Sequence, residues 1–194
     1  MKDNIIAQIQ ASIATKAAIL EDAKLIATLE SVAETLIDVY RNHGKILIVG
    51  NGGSAADAQH MAAELVGRFE LEREGLPAIA LTTDTSILTA VGNDYGYHYV
   101  FARQVEALAQ PSDALIAIST SGNSESIVNA VKAARAKGIY TIGLTGSKPC
   151  TMDQWCDVMI KIPSTHTPRI QESHLLVEHM LCQLIETALF APSL

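Results

Sequence analysis

Three cysteines, nine aromatic side chains and 14 basic residues among 194 are what this sequence has little of, and each shortage excludes something. Cys150, Cys156 and Cys182 are odd in number and lack zinc-finger spacing. They are expected to be reduced thiols in a cytosol rather than a disulfide framework. The basic residues are outnumbered by 21 acidic ones, a net charge of −7. Gripping a nucleic-acid backbone, or a membrane through a polybasic patch, requires the opposite balance. Nowhere do 18 apolar residues run together, and Met1–Leu20 carries Lys2, Asp3, Gln8, Gln10 and Lys16. Neither a spanning helix nor a signal peptide is expected. There is no G-x-G-x-x-G or Walker motif, which argues against nucleotide binding. Internal repeats, low-complexity runs and flexible linkers are lacking too.

What is present is apolar and alanine-rich: 48% hydrophobic, 18% charged, with 27 alanines. That composition argues against disorder and for closely packed helices. The length suits one domain with a full core. Ile5, Ile9, Ile13 and Ala17 recur at helical spacing, as do Leu25, Leu29, Val32, Leu36 and Val39, so residues 4–43 read as helix throughout. Gly44 is a natural stop. The period then changes. Lys45–Gly50 is a short β-branched run without polar alternation, as in a strand covered on both faces. Ala78–Leu81, Ala114–Ser119 and Tyr140–Thr145 resemble it, and Val158–Pro163 is more polar, as at a sheet edge. Helical stretches separate them at about 54–70, 84–109 (broken near Gly92–Gly96), 124–138 and 168–190. Alternation of this kind predicts right-handed βαβ crossovers and a parallel sheet. The helical prefix, 1–43, has no strand of its own. Its apolar face is expected on the α/β body, on another subunit, or on both.

Ligands of open parallel sheets bind beyond the carboxyl ends of the strands. Two loops of small polar residues fall there: Gly50–Ser54 (GNGGS) after the first strand and Ser119–Ser124 (STSGNS) after the third. In the second, Ser119, Thr120, Ser121 and Ser124 offer four hydroxyls, Gly122 permits a tight turn, and a helix N-terminus follows. A phosphate could be held there without Lys or Arg. The same residues also suit helix caps and turns. Asn93–Asp94 reads as a helix break near this ligand edge, and Asp84 and Asp113 as caps or turns.

His60 and Glu64 stand four residues apart and share a helix face, as do Gln171, Leu175 and His179 at four-residue steps. His174 and Glu178 form a further pair about 130° around. His60, Glu64, Gln171 and His179 together make a donor set for zinc or another first-row divalent ion. Residues eight apart on a straight helix lie about 12 Å apart along its axis, which makes Gln171 the weakest of the four. Taken singly, such pairs are also ordinary surface pairs, and His43, His98 and His166 join no constellation.

GNGGSAADAQHMAAE (Gly50–Glu64), VGND (Val91–Asp94), STSGNS and RIQESHLLVEH (Arg169–His179) together resemble the bacterial phosphoheptose isomerases of the SIS (sugar isomerase) family. The resemblance spans essentially the whole chain. It implies a flavodoxin-like five-stranded parallel sheet, one SIS domain over 1–194, and a homotetramer assembled partly through 1–43. The implied activity is conversion of sedoheptulose 7-phosphate to D-glycero-D-manno-heptose 7-phosphate, towards the heptose of lipopolysaccharide. The implied metal ligands, for one zinc per subunit, are His60, Glu64, Gln171 and His179. Implied substrate contacts are Asn51, Gly52, Gly53, Ser54, Glu64, Asn93, Asp94, Ser119, Thr120, Ser121, Ser124 and Gln171, with Arg68 an addition. Glu64 is the implied base and His179 the implied acid. A similar SIS-family paralogue is a non-catalytic scaffold that associates with the replication initiator protein. It does not retain the carboxylate and last histidine, both present here as Glu64 and His179. Small phosphosugar, other copies of itself, no nucleic acid and no membrane are thus the expected partners, in the cytoplasm.

Overall fold

The five β-branched and aliphatic runs form one parallel sheet in the computed structural model, which describes residues 1–191. They are β1 (Ile46–Gly50), β2 (Ala78–Ala80), β3 (Ala114–Ile118), β4 (Tyr140–Gly146) and β5 (Val158–Ile162). Their order is β2-β1-β3-β4-β5 and every pairing is parallel. This is the flavodoxin-like order, so the expected doubly wound α/β sheet is what the chain forms. The more polar β5 does lie at an edge. Residues 192–194 of the expected 1–194 domain lie outside the described residues.

Side chains alternate across a strand, so a run buried on both faces serves two cores at once. Ile46 and Ile48 point to one, with Ile116, Ile142, Leu144 and Ile160. Leu47 and Val49 point to the other, with Leu115 and Ala117. The first core is covered by α2 (Ala23–Arg41), α3 (Gly53–Val66) and α7 (Thr167–Phe190). The second is covered by α5 (Val100–Leu108) and α6 (Glu125–Ala136), with part of α4 (Thr85–Tyr95). Each fully buried Ile or Leu contributes roughly 1.5–3 kcal/mol of hydrophobic free energy.

Three expectations need correction. The prefix is two helices, not one. α1 (Lys2–Glu21) stops at Asp22, whose carboxylate accepts from the Leu25 N–H at 2.9 Å and so caps α2. An aspartate within an apolar period can be either interior or cap, and here the cap satisfies an otherwise orphaned donor. Asn93–Asp94 does not break its helix. α4 runs to Tyr95, and the chain turns at Gly96 into a single 3-10 turn, Tyr97–Tyr99. The helix of 54–70 ends at Val66, leaving 67–76 as a loop that returns to the core at Leu76.

The apolar face of α2 packs as expected, burying Leu25, Leu29, Val32, Leu36 and Val39. That of α1 does not: Ile5, Ile9 and Ile13 stay more than half exposed. Among the described residues no helix is long and apolar enough to cross a membrane.

Candidate active site

β1 and β3 are neighbours in the sheet, yet the chain leaves β1 towards β2 on one side and leaves β3 towards β4 on the other. The loops beyond their carboxyl ends diverge, and a crevice opens between them. Asn51 bridges it. Its Nδ2 donates to Ser124 Oγ at 2.8 Å and to Ser126 Oγ at 2.9 Å, while its Oδ1 accepts from the Tyr97 hydroxyl at 2.7 Å. Asn51, Ser54, Ser119, Thr120, Ser121 and Ser124 line a cavity of about 200 Å³ floored by Ile118 and Ile127.

Backbone geometry shapes this cradle. Gly122 has φ +65°, and a Cβ there would stand 2.3 Å from Cys150 Sγ, so only glycine fits the turn. The Gly122 N–H donates to Ser119 Oγ at 3.1 Å, which orients that hydroxyl. Ser124 is the N-cap of α6, but its side chain makes no cap hydrogen bond and engages Asn51 instead. The first-turn N–H groups of α6 and the positive end of its dipole therefore face the cradle, as an anion site requires.

α3 and α7 pack side by side on the same face of the sheet, and this brings together residues more than 100 positions apart. His60 Nε2 and His179 Nε2 lie 2.8 Å apart, and His60 Nε2 lies 3.4 Å from Glu64 Oε1. One donor atom from each residue falls within 4.8 Å of the others. Two imidazole nitrogens and a carboxylate oxygen converging in this way fit a divalent ion of the zinc type. All three are partly exposed, so a ligand can reach them. The Phe69 ring packs on His179, centroids 5.5 Å apart.

Gln171 is not placed in that cluster by any contact. Its carboxamide lies against the β1–α3 loop, with Nε2 2.0 Å from where a Cβ of Gly53 would stand, so a side chain at Gly53 would displace it. Gly52 starts α3 as its exposed N-cap, and Ser54 is buried. Asn93 and Asp94 are exposed and hydrogen-bond to each other at 2.8 Å. Arg68 is exposed and pairs with Glu72 at 3.6 Å. Asp84 is a helix cap and Asp113 a turn residue, within the cap-or-turn expectation. Asp84 accepts from Ile87 N, and the buried Asp113 accepts from the backbone N–H groups of Lys45 and Gln110.

Beneath the cluster lies a buried polar group that spacing only hinted at. His174 and Glu178 are fully buried on α7, and among the described residues neither side chain has a hydrogen-bond partner. Burial first, and the nearby Asp57 second, push the Glu178 carboxyl up to about 8. Asp57 on α3 is itself raised by burial, offset in part by Gln171 and His60. Sequence reasoning missed Tyr97, Ser126 and Phe69 altogether. Nothing in their local patterns marks them, because each matters only through a partner distant in the chain. A more open cavity of about 710 Å³ at the amino ends of the strands holds none of the predicted site residues.

A switch-point cradle made of hydroxyls and a helix N-terminus, beside a histidine–carboxylate cluster, defines a class: α/β domains that hold a small phosphorylated ligand and act on it. The SIS domain pattern matches residues 10–146. Phosphoheptose isomerase of Aneurinibacillus thermoaerophilus is 54% identical over 190 residues, covering 98% of this chain and 96% of that protein. The enzyme of the same name from Aliarcobacter butzleri is 54% identical over 97% of this chain and 99% of its own. The solved phosphoheptose isomerase of Neisseria gonorrhoeae superposes with a TM-score of 0.90 at 43% identity, covering 96% of this chain and 98% of that one. The chain belongs to the phosphoheptose isomerase family of SIS-domain proteins, and it is an isomerase.

Proposed function

We propose that the protein interconverts sedoheptulose 7-phosphate and D-glycero-D-manno-heptose 7-phosphate through an enediol, with Glu64 as base and His179 as acid. The observation that carries this reading is the convergence of Glu64, His60 and His179 from two helices at one spot. Ketose–aldose isomerisation moves a proton from C1 to C2 and a second from one oxygen to the other. Glu64 takes the C1 proton and returns it at C2. His179 protonates O2 and accepts the proton leaving O1, which is general acid–base catalysis by opposed groups. At 2.8 Å, one Nε2 of the His60–His179 pair donates and the other accepts.

His60, Glu64 and His179 would hold a zinc ion, with Gln171 as the further ligand the family resemblance implies. When bound, the ion supplies Lewis acidity towards the sugar carbonyl. The phosphate lies in the cradle, accepting from Ser119, Thr120, Ser121, Ser124 and the α6 N-terminus, while Asn51, Gly52, Gly53 and Ser54 close the other wall. Asn93, Asp94 and Gln171 contact the sugar in this reading.

Residues 1–194 then act as one SIS domain in the cytoplasm, with the prefix 1–43 serving assembly into a tetramer. The exposed Ile5, Ile9 and Ile13 stripe supports this, since the described residues of this chain leave it uncovered.

Purified protein is incubated with sedoheptulose 7-phosphate and the aldose product followed by NMR. Turnover is expected, and Glu64→Gln abolishes it without altering the circular dichroism. No turnover, with or without added Zn²⁺, sinks the proposal.

A further inference from the structure

The loop 67–76 is held by one buried ion pair that has no part in the chemistry described so far. Glu186 lies on α7 seven residues beyond His179, two helical turns along the same face. Its carboxylate accepts from the backbone N–H groups of Phe69, Glu70 and Leu71 at 3.0, 2.7 and 2.8 Å, and from Arg73 Nε at 2.8 Å. The Arg73 and Glu186 side chains are 1% and 2% exposed. The rest of the guanidinium ties the loop to the end of α3, with one donation to the Glu74 carbonyl oxygen in the loop at 2.9 Å. It donates to the carbonyl oxygens of Glu64 and Leu65, both at 2.9 Å, groups that a helix C-terminus leaves without partners.

One pair thus grips the backbone of Glu64 itself and the backbone of Phe69, whose ring packs on His179. Stapling the loop to α7 would not require the contact to Glu64.

We propose that Arg73 and Glu186 are positioning residues for the proton transfers: through the Glu64 carbonyl and Phe69 they hold Glu64 and His179 at their working separation. This rests on the roles proposed above for Glu64 and His179. The phosphate cradle lies at the opposite end of α3, so the brace does not hold the residues of that cradle.

The test uses the full-length protein with Arg73→Met, Phe69→Ala and Phe69→Tyr, each checked for a cooperative thermal transition. In folded Arg73→Met and Phe69→Ala, kcat for sedoheptulose 7-phosphate falls roughly 10–100-fold, the scale of a small misplacement of reacting groups. KM stays within about threefold, and Phe69→Tyr recovers most of the lost kcat. Independently of activity, the His179 ring signals in the NMR spectrum of the chelator-treated protein shift in Phe69→Ala. They also shift in Arg73→Met, although Phe69 is still there. Wild-type kcat in folded Arg73→Met and Phe69→Ala overturns the proposal, as do unmoved His179 signals in Arg73→Met. If Arg73→Met does not fold, Phe69→Ala decides. If the wild type itself does not turn over the substrate, the proposed function fails, and the His179 signals alone decide on the brace.

Discussion

Replacing Glu178 by methionine is expected to stabilise the protein and to remove a pH dependence that the wild type shows near neutrality. The carboxyl is fully buried, both oxygens lack partners among the described residues, and its proton is held up to about pH 8 by burial and by Asp57. The ordinary value is 4.5. The unfolded chain releases this proton above that value while the folded chain keeps it. The stabilising contribution is therefore full below pH 4.5 and is lost as the pH rises to about 8. His174 runs the other way. Burial pulls its imidazole from 6.5 down to about 4, slightly opposed by the nearby Thr145 backbone. Its contribution is full above pH 6.5 and is lost as the pH falls to about 4. The two slopes cancel between pH 4.5 and 6.5, and from 6.5 to 8 Glu178 acts alone. At about 1.4 kcal/mol per pH unit, the wild type loses about 2 kcal/mol across that interval. Methionine keeps an unbranched side chain of similar reach without the buried polar group, and should be more stable at pH 8 by about 2–3 kcal/mol. Urea unfolding at pH 6.5 and 8.0 measures this, at one protein concentration and with chelator present, because assembly and metal both shift apparent stability. A wild type that is flat across the interval refutes the reasoning. So does a variant no more stable than wild type at pH 8.

Ser124→Ala removes the hydroxyl that joins Asn51 to the α6 N-terminus. It should raise KM about 5- to 30-fold, the effect of roughly 1–2 kcal/mol, with kcat little changed in steady-state kinetics. Asp113→Asn weakens a buried carboxylate that accepts from two backbone N–H groups and from Lys45 Nζ at 2.6 Å. A loss of about 2–4 kcal/mol is expected in denaturant unfolding, and a midpoint equal to wild type would contradict it. Ile9→Glu together with Ile13→Glu places charge on the exposed stripe of α1. Light scattering should then report a smaller assembly with unchanged helicity, and an unchanged mass rules out that stripe as the interface.

The strands were legible in the sequence because a parallel sheet buried on both faces demands uninterrupted β-branched runs, and KILIVG and ALIAI supply them. The two loops that border the crevice were legible for a related reason. Small hydroxyl-bearing and glycine residues directly after such runs mark the carboxyl edge of the sheet, where N–H groups of the next helix are free. Helical spacing put His60 and Glu64 on one face, and the resemblance to phosphoheptose isomerases singled that pair out. All of these are local properties, set within a few residues by backbone geometry and by the period of the side chains.

What only the tertiary structure decided is how distant elements meet. That Asp22 caps a second helix rather than sitting inside one long helix depends on how α2 docks. The register of α3 against α7 sets His179 Nε2 at 2.8 Å from His60 and leaves Gln171 against Gly53. The same register buries Glu178 without a partner and brings Glu186 to the 67–76 loop. Packing of two helices on a sheet is fixed by the summed burial of many apolar side chains, not by the polar residues they carry. The polar residues chosen for chemistry can therefore be read from the sequence as types, while their distances from one another are consequences of the core.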